Sequence, residues 1–177
     1  MSLTEASVKN FLLGVVVTLV LLMLGGFSYL RMGFAEVRGD LPPSRFETWV
    51  MRPSVHASIA KRAPELANPV APTDENLVAG GRLYLDSCSG CHGAPGKPDE
   101  SSDSLYPPIP QLPTVGTELT EAQIFWVTKH GIRYSGMFAN GKFHSDEKMW
   151  TMAAYIKRIK NLPEKVKEEL AKPAEKK

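Results

Sequence analysis

The sequence predicts a mainly α protein: a single N-terminal transmembrane helix, then a small helical domain. Three observations carry this. Residues 11–30 contain no charged side chain. Beyond residue 73, hydroxyl or acidic caps precede apolar positions at helical spacing. Finally, both cysteines of the 177-residue chain lie within five residues, Cys88-Ser89-Gly90-Cys91-His92.

Composition narrows the function classes. Hydrophobic content is 43%, and 21 Lys+Arg against 19 Asp+Glu leave a formal charge of +2. Residues 74–162 carry nine basic and ten acidic side chains, so no basic stripe marks a nucleic-acid interface. The chain has no internal repeats.

Residues 1–10 read as a short cytoplasmic N-terminus. The run 11–30 is the anchor: 20 residues at about 1.5 Å each cover about 30 Å, the thickness of a hydrocarbon core. A secretory signal has a shorter apolar run of about 7–15 residues. Positive charge gives conflicting guidance on orientation. Lys9 precedes the helix, whereas Arg31, Arg38, Arg45 and Arg52 follow it. Large domains translocate largely regardless of such charges, so the expected topology is N-in, C-out.

Residues 31–73 form a proline-rich arm, with Pro42, Pro43, Pro53, Pro64, Pro69 and Pro72. A passive tether would be rich in Gly and Ser. This one carries Phe46, Trp49, Val50, Met51, Val55, Ile59 and Leu66, which predicts docking on a partner subunit or along the membrane interface. A short helix is expected from Ser54, as N-cap, to Ala63, ended by Pro64.

The domain 74–162 follows. Thr73 or Asp74 caps a helix that runs through Leu77, Gly80, Leu83 and Tyr84 to the cysteines. Residues 93–118 are loop-like, with repeated Pro and Gly. Thr120 caps a second helix that Gly131 stops. Ser145 caps the last, whose apolar face is Met149, Met152, Ala153, Ile156 and Ile159. Residues 163–177 alternate Lys and Glu and read as a charged, solvated helical tail with a frayed end.

Cys88 to His92 is the attachment signature of a c-type haem. Two thiols on one turn form thioethers, and the adjacent imidazole reaches iron. A thioredoxin-like pair would need a βαβ setting. A zinc site would need further ligands, commonly another Cys pair or a close His pair. A disulfide here would close almost no loop and stabilise little.

Residues 74–162 resemble a class I monohaem cytochrome c of the membrane-anchored respiratory type. Gly80 and Tyr84, before Cys88, match the small and aromatic residues that pack the first helix on the last in that family. Met152 and Tyr155 match their partners, and Trp150 an aromatic early in the final helix. Gly131-Ile132-Arg133-Tyr134-Ser135-Gly136-Met137 resembles the loop that supplies the second axial ligand. Met137-Phe138-Ala139 departs from the family's Met-Pro-Ala, so Phe138 implies a softer loop.

The resemblance covers about half of the chain and implies a helical domain around one covalently attached haem c. His92 is then the proximal iron ligand. Candidates for the distal site are Met137, Met149, Met152, His130 and His144. Met149 and Met152 fall on a helical apolar face, where methionine fills core. Met137 lies in a loop with no helical period to explain it, and is the predicted ligand. His130 reads as a helix C-terminal residue and His144 as solvent-exposed. The family implies a proline carbonyl behind His92, from Pro108 or Pro110. Arg133, Tyr134 and Trp150 are candidates to bind a haem propionate.

The resemblance implies single-electron transfer, not enzymatic turnover, by a subunit of a respiratory or photosynthetic complex. Its partners would be other subunits and redox donor and acceptor proteins. It would sit in a bacterial inner membrane with the haem on the periplasmic side. The alternatives are a tethered shuttle, or a haem peroxidase or ligand sensor with a labile sixth ligand.

Overall fold

The computed structural model describes residues 3–100 and 102–173. The chain divides into two compact units, Met1–Arg38 and Gly39–Lys177. Among the described residues the structure is helical, and its only β feature is an isolated bridge between Ala94 and Lys97.

The first unit is helix α1, Leu3–Arg31. Ser7–Arg31 is 25 residues long with hydropathy 2.5 and no part of its apolar window buried, so it is long and apolar enough to cross a membrane. Thr18 donates its hydroxyl to the Gly14 carbonyl at 2.9 Å, so this hydroxyl is satisfied within the helix. Gly33 (φ 77°) ends the helix. Its N–H bonds Leu30 O at 3.3 Å, and that of Phe34 bonds Tyr29 O at 3.2 Å. This is the Schellman pattern, completed by the stacked rings of Tyr29 and Phe34, 5.8 Å apart. Just beyond, hydrogen bonds from the Arg38 side chain and backbone hold the exposed Glu36 carboxyl down to about 2.

The second unit begins with α2, Arg45–Arg62. This helix starts nine residues before the expected Ser54, because Ser44 is the cap: its hydroxyl accepts from Glu47 N at 3.1 Å. Pro53 lies inside the helix. The second half is held independently, with Ile59 buried and the helix packed on α6, Glu121–His130. Ala63 N–H closes the helix on Ile59 O at 2.9 Å, immediately before Pro64.

Helices α3 (Asp74–Ser87), α6 and α7 (Asp146–Arg158) form the core. Each starts at the expected cap, Thr73, Thr120 and Ser145, and Thr120 with Gln123 makes a full capping box. Helix α3 crosses α7 at Gly80, where a Cβ would lie 2.4 Å from Thr151 O. Only glycine allows this approach. It seats Tyr84 against Tyr155, ring centres 5.5 Å apart, over fully buried Met149 and Met152. On the α6 side, Phe125 stacks on Trp150 at 4.1 Å.

The C-terminal segment departs from the solvated helix the sequence suggested. Helix α8, Glu164–Ala171, packs on α3. Its Val166 is fully buried, and Leu170 lies over Gly81. The Arg82 guanidinium donates to Glu169 O at 2.6 Å and Lys172 O at 2.8 Å, satisfying carbonyls at the end of α8. The Lys/Glu alternation covers only the outer face of this helix.

Candidate haem site

The cysteine motif sits where α3 ends. Cys88 closes α3, its N–H bonded to Tyr84 O at 2.8 Å, and the turn α4, Ser89–His92, follows. Tyr84 holds the motif from inside: its hydroxyl donates to Gly93 O at 2.7 Å and to His92 O at 3.1 Å. Packing at Gly80 thus fixes the tyrosine, and the tyrosine fixes the backbone carrying His92.

The His92 ring meets the carbonyl of Pro110, with Nδ1 at 3.0 Å. A proton on Nδ1 satisfies this contact and leaves the Nε2 lone pair free to bind a metal. Of the two prolines predicted for this place, the geometry selects Pro110. Pro108 is exposed.

Gln111, which the sequence reading did not flag, holds this arrangement. Its carbonyl oxygen accepts from Asp99 N at 2.7 Å. Its amide donates to Cys91 O at 3.0 Å and to Ile109 O at 3.3 Å. One side chain therefore ties the second cysteine, the following loop and the proline segment together. The available signal was a lone carboxamide between Pro110 and the turn α5, Leu112–Val115.

Met137 lies in a loop pinned by its own backbone. Ile132 N bonds Met137 O at 2.9 Å, and Met137 N bonds the Ser135 hydroxyl at 3.2 Å. The loop folds back so tightly that a Cβ on Gly131 would lie 2.6 Å from Met137 O. Asn140 anchors the far side, its N–H bonding Thr128 O at 3.1 Å. Tyr134 stands 88% exposed with φ 61°, an uncommon backbone state for a bulky residue.

The segments around the motif form a closed circuit. His144 Nε2 lies 3.1 Å from the Ser87 hydroxyl, beside Cys88, so this histidine is partly buried rather than solvent-exposed. Its neighbour Phe143 meets Phe138 edge-on at 6.2 Å. Beyond Met137, Gly136 faces the Leu105 side chain, and from there the chain leads to Pro110 and back to His92. Leu105, Tyr106, Phe138 and Phe143 on this circuit are all exposed. A planar apolar group set against the motif would cover such side chains.

The donor set suits a haem. Burial, and then Cys91, pushes the Cys88 thiol up to about 11, away from the thiolate character of a dithiol redox pair. Among the described residues no group of three or more His, Cys, Asp or Glu is placed to hold a metal ion. The other candidates lie elsewhere. Met149 and Met152 are fully buried in α7, and His130 ends α6 against Trp126, 5.1 Å away. Trp150 is only 6% exposed and stacked on Phe125, and Arg133 is exposed.

Comparison with known families agrees with this geometry. Residues 75–156 match the family model described as cytochrome C oxidase, cbb3-type, subunit III. This part of the chain is a class I cytochrome c domain. The matched stretch runs from the first turn of α3 into α7, so it contains the cysteine motif, the Pro110 segment and the Met137 loop. A cytochrome domain of this class carries electrons through haem. Comparison with curated proteins and with solved structures returned no match.

Proposed function

We propose that the chain is a membrane-anchored monohaem c-type cytochrome, passing single electrons as a subunit of a respiratory or photosynthetic complex. The observation that carries the reading is the His92–Pro110 contact beside two cysteines; the Met137 loop, fixed by its own hydrogen bonds, is proposed to supply the second ligand. Cys88 and Cys91 hold the haem, and His92 and Met137 ligate its iron. The bound haem supplies a one-electron iron couple, and His/Met ligation raises its potential relative to bis-histidine.

The chain's own residues set the rest. Pro110 O orients the imidazole and makes His92 a more basic ligand. The bonds to Ile132 and Ser135 fix the backbone of Met137. Phe138 and Phe143 present exposed apolar surface beside it that a bound haem would cover. Tyr134, exposed on the Met137 loop, and Trp150, buried against Phe125, are offered as contacts to the haem. Helix α1 supports a single-pass anchor; the proposed setting is a bacterial inner membrane, with the haem on the periplasmic side.

A redox titration of the purified chain should give one reversible one-electron wave. Mild-detergent extraction from native membranes should bring further redox subunits with it. A chain that purifies alone, yet still reduces an acceptor complex, would favour a tethered shuttle. Rapid carbon monoxide binding with peroxidase turnover would overturn the carrier reading.

A further inference from the structure

Helix α2 has two apolar faces, and only one is covered. Ile59 and Val55 turn towards the domain, and Ile59 is 4% exposed. Phe46, Trp49, Val50, Pro53 and Ala57 recur at helical spacing on the other side. Phe46 and Trp49 are 72% and 73% exposed, their rings 6.1 Å apart.

Charge and chain length indicate what covers this face. Along α2 stand Arg45, Arg52, Lys61 and Arg62 against one acid, Glu47. Arg45, Arg52 and Lys61 flank the aromatic face, where they can reach outward while their stems lie along apolar surface. Aromatic residues in the acyl boundary with basic residues at phosphate level characterise a helix lying in a membrane interface. Residues 32–44 alone separate α2 from α1, a tether that extends to at most about 45 Å. A surface held this close to a bilayer meets lipid before it meets a diffusing protein.

We infer that the Phe46/Trp49 face of α2 lies in the headgroup layer of the membrane, its basic flanks paired with anionic lipid phosphates. This rests on the proposed anchoring by α1. The helix then acts as a second, parallel attachment and limits how far the haem domain swings from the surface.

Full-length haem-loaded protein is reconstituted in vesicles of phosphatidylglycerol and phosphatidylcholine that contain a lipid with a photoactivatable group high in its acyl chain. Adducts are mapped by mass spectrometry. Labelling of α1 and of residues 45–57 is expected, with the α2 labelling reduced at high salt and lost in F46S/W49S while α1 labelling stays. Labelling of α1 alone overturns this inference and leaves the anchor standing. Labelling of neither overturns the anchor and the inference together. Crosslinks through α2 between two copies, without lipid adducts there, overturn it in favour of self-association.

Discussion

Replacing Gln111 with alanine should loosen the His92 side of the site without touching a ligand. The side chain makes three neutral hydrogen bonds, at 2.7, 3.0 and 3.3 Å. Each contributes about 1 kcal/mol net. The longest is the weakest, and the freed groups of a partly exposed site regain water, so the loss should be about 2 kcal/mol. For a domain of this size that corresponds to roughly 10 °C in Tm. Gln111→Glu is the sharper variant. It keeps the acceptor for Asp99 N but sets a carboxylate against the carbonyls of Cys91 and Ile109, so it should cost more than alanine at neutral pH and less in acid. Thermal unfolding followed in the haem band measures both. A Gln111→Ala protein within 1 °C of the wild type, or a glutamate variant more stable than alanine at pH 7, would refute the bridging role.

Other expectations follow from the packing. Gly80→Ala forces a Cβ to within 2.4 Å of a backbone oxygen, whereas at Gly81 it meets the flexible end of Leu170 at 2.6 Å and the Tyr155 ring edge at 2.9 Å. Overpacking of about 1–3 kcal/mol should outweigh the helix-propensity gain of about 1 kcal/mol at Gly80 and be smaller, though not abolished, at Gly81, as paired denaturation curves would show. Tyr155 Oη is buried without a hydrogen-bond partner among the described residues. Tyr155→Phe should therefore stabilise the domain, by about 1 kcal/mol in urea unfolding. Burial also pushes the Tyr155 hydroxyl up to about 12 from 10.0 and raises that of Tyr84. The neutral phenols are the folded form, so this stability is complete below pH 10 and lost as pH rises towards 12. Tyr155→Phe should move the alkaline transition to higher pH. Val166→Ala should release α8 from α3 at a cost of about 1–3 kcal/mol, with faster amide exchange along residues 164–171.

Much of this was legible because the signals are local. The caps Thr73, Thr120 and Ser145 each announce a helix within four residues. The motif at Cys88 is legible in five adjacent residues. Misreadings arose where tertiary contacts decide. Ser54 and Ser44 are equally good caps by residue type, and only the bond from Glu47 N to the Ser44 hydroxyl shows where the helix starts. Val166 and Leu170 are two apolar residues in a charged run, too few to mark a face until Gly81 and Arg82 meet them. His144 gains its partner from Ser87, 57 positions away. The choice between Pro108 and Pro110 depends on a three-dimensional turn that no spacing rule encodes, and Gln111 has no sequence motif at all.

The central claim is that His92 and Met137 ligate one haem iron. Near-infrared magnetic circular dichroism of the oxidised full-length protein tests it directly, with Met137→Ala and Met137→His as comparisons. His/Met ligation predicts a sulfur-to-iron charge-transfer band in the wild type, lost in both variants, with the potential lowered in Met137→His. A wild-type spectrum of bis-histidine type, or a band that persists in Met137→Ala, would contradict it.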